Sequence, residues 1–206
     1  MVAKLRRITG IRKIGHGGTL DPLATGLLVV GIGSATKRLE QFVQGEKTYL
    51  AGVALGATST TDDAEGVLTG TSGSGPVKSP DSAVVSEVLK KFLGTQEQLP
   101  PVYSAIKTGG KKAYVEARAG REVERQPRLV TIRQLDLMKY DYPDLEVRAA
   151  VSKGTYIRAL ARDLGEALGT EAYLSALRRE RVGSYSVERA HRLSELTHGW
   201  ERFLIA

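Results

Sequence analysis

Residues Lys47-Thr48-Tyr49-Leu50-Ala51-Gly52-Val53-Ala54-Leu55 decide the fold, because their odd-numbered members form one mostly apolar side. A period of two is that of a β-strand with one face against a core. Residues 145–151 repeat the pattern, and residues 140–144, Tyr-Asp-Tyr-Pro-Asp, have the composition of a hairpin connection from a strand over residues 129–139. The sequence therefore predicts antiparallel pairing of neighbouring strands.

Helical patterns stand between the strands. Ser79 as N-cap, Pro80 as first helical residue, apolar spacing from Val84 to Phe92 and Gly94 as terminator predict one helix. Residues 157–168 show the same period before Gly169, and Thr170 is expected to cap a further helix that carries Leu174 and Leu177.

These elements do not alternate as a βαβ series, so we expect an α+β fold with a mixed, largely antiparallel sheet and flanking helices. The Gly/Ser-rich segment 70–76 is expected to form a flexible surface loop. Gly31 and Gly33 lack the third glycine of a dinucleotide site, and Lys37 lacks the glycines of a P-loop.

Composition excludes several classes of protein. The chain has 206 residues, no Cys and three His without metal-ligand spacing, so disulfide, thiolate and zinc chemistry are not expected. No apolar run approaches the roughly 18 to 20 residues of a membrane span, and no signal-peptide core follows Met1. We expect a soluble, unexported, cytoplasmic protein with no metal and no membrane partner.

Charge is concentrated at the start of the chain. The net charge is +7, and the first twenty residues hold five basic residues and no acidic one, namely Lys4, Arg6, Arg7, Arg12 and Lys13. A local basic surface on an otherwise nearly neutral chain favours phosphate backbones, although many basic proteins bind none.

The segment Gly15–Gly26, Gly-His-Gly-Gly-Thr-Leu-Asp-Pro-Leu-Ala-Thr-Gly, is the richest in chemical groups. Its glycines allow close approach of a ligand, and Pro22 keeps Asp21 out of the helical region at a loop end. Asp21 and Pro22 also fit the N-cap and first turn of a helix, so spacing alone leaves both interpretations open.

Three further segments complete a pattern: Glu46–Tyr49, Lys153–Arg158 and Leu177–Gly183, the last expected to close a helix. With Gly15–Gly26 and the middle region Leu99–Lys107, followed by Tyr114, Ala117, Arg118 and Gly120, they resemble the bacterial tRNA pseudouridine synthase B (TruB) family from about Val2 to Leu196.

The resemblance implies an isomerase that converts uridine 55 in the T-loop of tRNA to pseudouridine without metal or cofactor. Asp21 matches the family's catalytic carboxylate, which either adds to the ribose or removes a sugar proton. Arg158 matches the arginine that pairs with that carboxylate, and Tyr49 matches the tyrosine that stacks on uracil and is a candidate for handling the C5 proton.

The remaining positions match substrate-binding residues of the family: Tyr156 and Leu177 as pocket walls and His16 in the space that the flipped base vacates. Taken without the resemblance, Tyr49 and Leu177 fit a core, Arg158 a helix surface and His16 an exposed loop. Five arginines are expected near the RNA backbone: Arg118, Arg121, Arg178, Arg179 and Arg181.

Two departures from the family affect the expected organisation. Its members usually begin with a strand and a Lys-Pro-x-Gly-x-Thr-Ser segment, which this sequence lacks, and only about ten residues follow Leu196, too few for a PUA domain. We therefore expect one catalytic domain over residues 1–206, a monomer, with an exposed sheet edge. A silent tRNA-binding module and a general nucleic-acid binder are the alternatives to an active synthase that binds the T-loop and stem.

Overall fold

A computed structural model describes residues 1–70, 79–104, 125–196 and 199–204, and the backbone alone at 107–108 and 111–112. The helices are α1 (Val2–Thr9), α2 (Leu39–Gln44), α3 (Ser82–Lys91) and α4 (Ile157–Leu168), with 3-10 turns at Gly33–Arg38, Val187–Arg189 and Trp200–Phe203. The strands are β1 (Ile14–His16), β2 (Thr25–Gly26), β3 (Val30–Ile32), β4 (Lys47–Leu55), β5 (Ala57–Ser59), β6 (Leu68–Gly70), β7 (Gly94–Gln98), β8 (Lys107–Thr108), β9 (Lys111–Lys112), β10 (Arg128–Asp141), β11 (Asp144–Val151), β12 (Ala172–Val182) and β13 (Tyr185–Ser186).

A seven-stranded sheet is the centre of the fold. Its strands run in the order β13-β12-β4-β11-β10-β7, all antiparallel to their neighbours, and β2 adds to β12 in parallel. The predicted α+β fold with a largely antiparallel sheet is therefore confirmed, as are the two alternating strands and the hairpin between β10 and β11.

One face of the sheet forms the core. Ala51, Val53 and Leu55 of β4 pack there with side chains of β10, β11 and β12 and with the apolar sides of α3 and α4. Burial of a Leu, Ile or Val side chain contributes about 1.5 to 3 kcal/mol, so these contacts stabilise the packing of the two helices on the sheet.

The helix predicted after Thr170 is wrong. Residues 172–182 form β12, which pairs with β4 along its length. A register shift between Leu174 and Ala176 inserts a residue, so Leu174 and Leu177 both face the core at a spacing of three. That spacing imitates the helical period, because a regular strand would place residues three apart on opposite faces.

The start of α3 also differs from the prediction. The helix begins at Ser82 with Asp81 as N-cap residue, not at Pro80 with Ser79 as N-cap. The Tyr140 hydroxyl donates to the Pro80 carbonyl at 2.6 Å and lies 3.3 Å from the Ser79 hydroxyl. These bonds tie the entry segment to β10. The end before Gly94 is confirmed, and Gly94 opens β7 with φ +100°.

Two other expectations concern local structure. The predicted loop over 70–76 lies outside the described residues from Thr71 onward. Helix α4 is confirmed at its predicted bounds, ending at Gly169 in the left-handed conformation. Among the helices that the structure describes, none is long and apolar enough to cross a lipid bilayer.

Candidate active site

Residues Gly17–Leu27, here called the Asp21 loop, run from β1 to just beyond β2. Asp21 opens a tight turn in which the Ala24 amide donates to the Asp21 carbonyl at 2.9 Å. The segment is therefore a turn, and the alternative in which Asp21 caps a helix is wrong. Gly26 is held against β12 so closely that a Cβ atom there would lie 2.3 Å from the Arg179 carbonyl oxygen.

Arg158 binds the carboxylate of Asp21 in a fork. Its Nε donates to Oδ2 and its Nη2 to Oδ1, both at 3.1 Å. The Arg158 side chain is 6% exposed and that of Asp21 31%, so the carboxylate has a free side toward solvent. A two-point guanidinium contact fixes both the position and the plane of the carboxylate.

The rest of the Arg158 guanidinium is bound by the surrounding chain. Nη1 donates to the Thr61 carbonyl and Nη2 to the Tyr103 carbonyl, each at 3.1 Å. Arg158 is the second residue of α4, Thr61 lies in the β5–β6 connection, and Tyr103 lies in the segment after β7. Three separate parts of the chain therefore orient the Arg158 side chain. The helix-surface alternative is wrong for this side chain.

Asp63 is a site residue that the sequence analysis missed. Its side chain is 4% exposed, and its Oδ2 lies 3.6 Å from Arg158 Nε, the nitrogen that also donates to Asp21. The other oxygen accepts from the Thr61 hydroxyl at 2.6 Å and from the Glu65 amide at 3.0 Å. Asp63 also forms a bridge with Leu174 of β12, which brings the β5–β6 connection to the site.

Two tyrosines border this pair. Tyr49 on β4 is half-buried in the register position opposite Arg179, and burial raises its pKa, an effect increased by Asp21 and opposed by Arg179. Tyr156 directly precedes α4, and burial likewise raises its pKa, against a hydrogen bond with Ser104 and the charges of Arg128 and Arg158. Both phenols are therefore neutral near pH 7.

The other predicted site residues lie at different depths. Leu177 is 6% exposed and belongs to the core cluster, next to Ala51 in register. His16 is exposed at the end of β1, paired with Val30. Neither has a hydrogen bond or ion pair to Asp21 in the structure, so their roles stay predictions.

The arginines expected at the RNA backbone separate into three groups. Arg118 and Arg121 lie outside the described residues. Arg178 and Arg181 are exposed, and their register partners on β4, Leu50 and Thr48, place both on the face of the sheet opposite the buried Leu177 and Arg179.

Arg179 corrects the prediction, because its side chain is only 1% exposed and donates to backbone carbonyls of the Asp21 loop. No phosphate reaches a guanidinium so placed.

The arrangement supplies one oriented carboxylate with a side open to solvent, beside aromatic surface and a buried cation. The second carboxylate that the described residues place at Arg158, that of Asp63, is not free to activate water, since it is enclosed and engaged by its neighbours. Within the described part of the chain, no group of three or more His, Asp or Glu side chains is arranged to hold a metal ion. This chemistry suits attack or proton removal at one carbon of a bound sugar.

Two solved structures share the fold. The protein superposes with a TM-score of 0.68 on a chain of a Cbf5-Nop10-Gar1 complex, at 29% identity over 90% of this chain and 45% of that one. It superposes equally on a chain of an archaeal box H/ACA sRNP Nop10-Cbf5 complex, at 25% identity over 98% of this chain and 48% of the other. The fold and the Asp21–Arg158 pair define a catalytic domain of the pseudouridine synthase class.

Comparison of the amino-acid sequence with known families shows which group of pseudouridine synthases this chain is similar to. Residues 6–157 match the N-terminal domain of the TruB family pseudouridylate synthases, and residues 158–202 match the tRNA pseudouridylate synthase B C-terminal domain. The chain belongs to the TruB family. It is 46% identical over 200 residues to tRNA pseudouridine synthase B of Leifsonia xyli subsp. xyli and 46% identical over 204 residues to that of Thermobifida fusca. It spans 66% and 69% of those two proteins, and they cover 95% of this chain in each case.

Proposed function

We propose that this protein converts uridine to pseudouridine at position 55 in the T-loop of tRNA. The observation that carries the proposal is the two-point contact between Arg158 and Asp21, at 3.1 Å for each bond, in a loop that leaves one side of the carboxylate open. A buried arginine aimed at one partly exposed carboxylate is the arrangement of a catalytic group rather than of a surface ion pair.

The reaction is an isomerisation, and its atoms balance without a further reactant. The N1–C1′ bond breaks, the detached uracil turns within the pocket, and C5 bonds to C1′. The C5 proton leaves and N1 gains a proton. Asp21 supports bond cleavage either by adding to C1′ or by removing a proton from the sugar, and both routes need the carboxylate as an anion. No oxidant, metal or cofactor is required by this balance.

The neighbouring residues receive roles that fit their positions. We assign Tyr49 to stacking on the uracil and to handling the C5 proton, and Tyr156 and Leu177 to the walls of the pocket. His16 is assigned to the space that the flipped base leaves in the loop. We assign contacts with RNA phosphates to Arg118, Arg121, Arg178 and Arg181, and we withdraw Arg179 from that set because its side chain is buried.

The proposal also covers organisation. We propose that residues 1–206 act as one catalytic domain, supported by a single core that joins β4, β10, β11, β12, α3 and α4. We expect a monomer that acts on tRNA in the cytoplasm, and light scattering of the tRNA-free protein checks the monomer.

Asp21→Asn tests the central claim, because it removes the charge and keeps the shape. An unmodified tRNA transcript is incubated with excess protein, and pseudouridine is mapped chemically at each uridine. The parent should modify position 55, whereas Asp21→Asn should bind the transcript and form no detectable product. Asp144→Asn, an exposed aspartate in the β10–β11 hairpin, is the matched control and should retain full activity. Binding without product in the parent would instead support a silent RNA-binding module.

A further inference from the structure

Arg179 is among the most deeply buried large side chains of the protein, with 1% of its surface exposed. It lies on β12 opposite Tyr49 of β4, on the face of the sheet that carries the core and the candidate active site. Its neighbour Arg178 is exposed on the other face. Two adjacent arginines therefore occupy very different environments.

The Arg179 guanidinium binds both arms of the Asp21 loop. Nε donates to the Leu27 carbonyl at 2.8 Å, on the arm after Asp21. Nη2 donates to the Gly18 carbonyl at 3.2 Å and Nη1 to the Thr19 carbonyl at 3.4 Å, on the arm before Asp21. One planar cation thus fixes the distance between the two arms, and Asp21 lies at the turn between them.

The backbone of Arg179 holds the same loop a second time. The Leu27 amide donates to the Arg179 carbonyl at 2.8 Å, and Gly26 pairs with Arg179 in the parallel β2–β12 contact. Gly26 has φ +95°, and a side chain there would collide with the Arg179 backbone. Only glycine therefore allows the loop to lie this close to β12.

Burial of the charge needs an explanation. The guanidinium donates to three backbone carbonyls and contacts the Tyr49 hydroxyl, and among the described residues no carboxylate forms an ion pair with it that would offset the loss of hydration. An apolar side chain would fill the space without that cost, but it could not hold carbonyls on two separate arms. A lysine has one point of attachment and cannot reproduce the fork.

We propose that Arg179 is a positioning residue that fixes the Asp21 loop on β12 and so sets where the Asp21 carboxylate meets the ribose. The inference rests on the proposed function for its catalytic consequence. A displacement of about 1 Å at a reacting group lowers a rate by about 100-fold, and Arg158 holds the carboxylate itself by two bonds.

Arg179→Lys is the informative variant, because it keeps the positive charge. Arg148→Lys is the matched control, because Arg148 lies on β11, on the opposite face of the sheet, and its guanidinium binds Glu180. Three quantities are measured for each: the thermal midpoint by circular dichroism, the dissociation constant for tRNA, and the single-turnover rate at saturating protein. We expect Arg179→Lys to lose about 10- to 100-fold in single-turnover rate while tRNA binding changes less than about twofold. Arg148→Lys should keep the parent rate.

Hydrogen exchange of the loop amides gives a second readout that does not need activity. The Leu27 amide should exchange at least about tenfold faster in Arg179→Lys, while core amides of β4 and β11 keep their protection. Gly26→Ala displaces the same loop from the backbone side, so the double variant should lose less rate than the product of the two single losses.

The inference is overturned if Arg179→Lys keeps the parent rate, if its loss is entirely in tRNA binding, or if the exchange of the Leu27 amide is unchanged. Failure of the proposed function is a different result: the parent itself then forms no pseudouridine. In that case the exchange of the loop amides alone decides whether Arg179 anchors the loop.

Discussion

The side chain of Gln98 binds both backbone polar groups of Tyr156. Its Nε2 donates to the Tyr156 carbonyl at 3.1 Å, and its Oε1 accepts from the Tyr156 amide at 2.8 Å. Gln98 is 4% exposed at the end of β7, and Tyr156 is the N-cap residue of α4. Gln98 therefore fixes the start of the helix that carries Arg158.

We predict that Gln98→Leu lowers the free energy of unfolding by about 1 to 3 kcal/mol. The Tyr156 carbonyl keeps a partner, because the Leu160 amide also donates to it at 3.0 Å, but the Tyr156 amide loses its acceptor. Urea unfolding measures the change. Gln96 lies on the same strand as Gln98 and donates one side-chain hydrogen bond to the Phe92 carbonyl. Gln96→Leu should therefore lower the free energy of unfolding by less. Equal losses in the two variants would contradict a special role for Gln98.

The alternation of apolar residues along the sequence correctly predicted β4 and β11. Local sequence patterns failed where contact with another strand sets the conformation, as in β12 and at the start of α3. The alternation of β4 and β11 is visible because each strand packs one regular face on the core. The bulge in β12 is a response to pairing with β4, so the spacing of Leu174 and Leu177 alone favoured a helix. The start of α3 was misplaced for the same kind of reason, since Tyr140 of β10 holds Pro80.

The site shows the same limit. Asp21 and Arg158 were recognised from motifs, and the structure brings them together over a long separation in sequence. Asp63 lies in a Thr-Thr-Asp-Asp run that fits an ordinary turn, and nothing local distinguishes it from Asp62. Arg179 was misassigned because a basic cluster indicates a phosphate surface, whereas strand alternation buries one member of the cluster and exposes the next.

Arg158→Lys is predicted to lose most activity while tRNA binding persists. The ammonium cannot hold both Asp21 oxygens together with the Thr61 and Tyr103 carbonyls. Loss of one or more charge-assisted hydrogen bonds, each about 1.5 to 3 kcal/mol, corresponds to a fall of at least about 10- to 100-fold in single-turnover rate. Filter binding of tRNA supplies the comparison, and near-parent turnover would contradict the pairing as a catalytic requirement.

Asp63→Asn is predicted to lower the rate without changing tRNA affinity, by less than Arg158→Lys does. Asparagine keeps an oxygen for the Thr61 hydroxyl and the Glu65 amide but removes the negative charge near Arg158. The guanidinium then faces one carboxylate instead of two, so its hold on Asp21 changes while the fold is kept. Asp62→Asn is the control, because Asp62 binds Arg162 at 2.8 Å instead. If both variants keep the parent rate, Asp63 has no influence on the catalytic pair.

The pH dependence of the rate tests Tyr49. Burial raises the pKa of its phenol above the ordinary value of 10.0, with Asp21 adding to the rise and Arg179 opposing it. Below that pKa the phenolate fraction increases tenfold per pH unit, so a rate limited by removal of the C5 proton by Tyr49 should rise with pH from about 7 to 9. Tyr49→Phe keeps the stacking surface and loses the hydroxyl, so its single-turnover rate should be lower and independent of pH over this range. Tyr185→Phe, on β13 with its ring against Phe42, should retain the slope of the parent. A slope that persists in Tyr49→Phe would assign the proton transfer to another group.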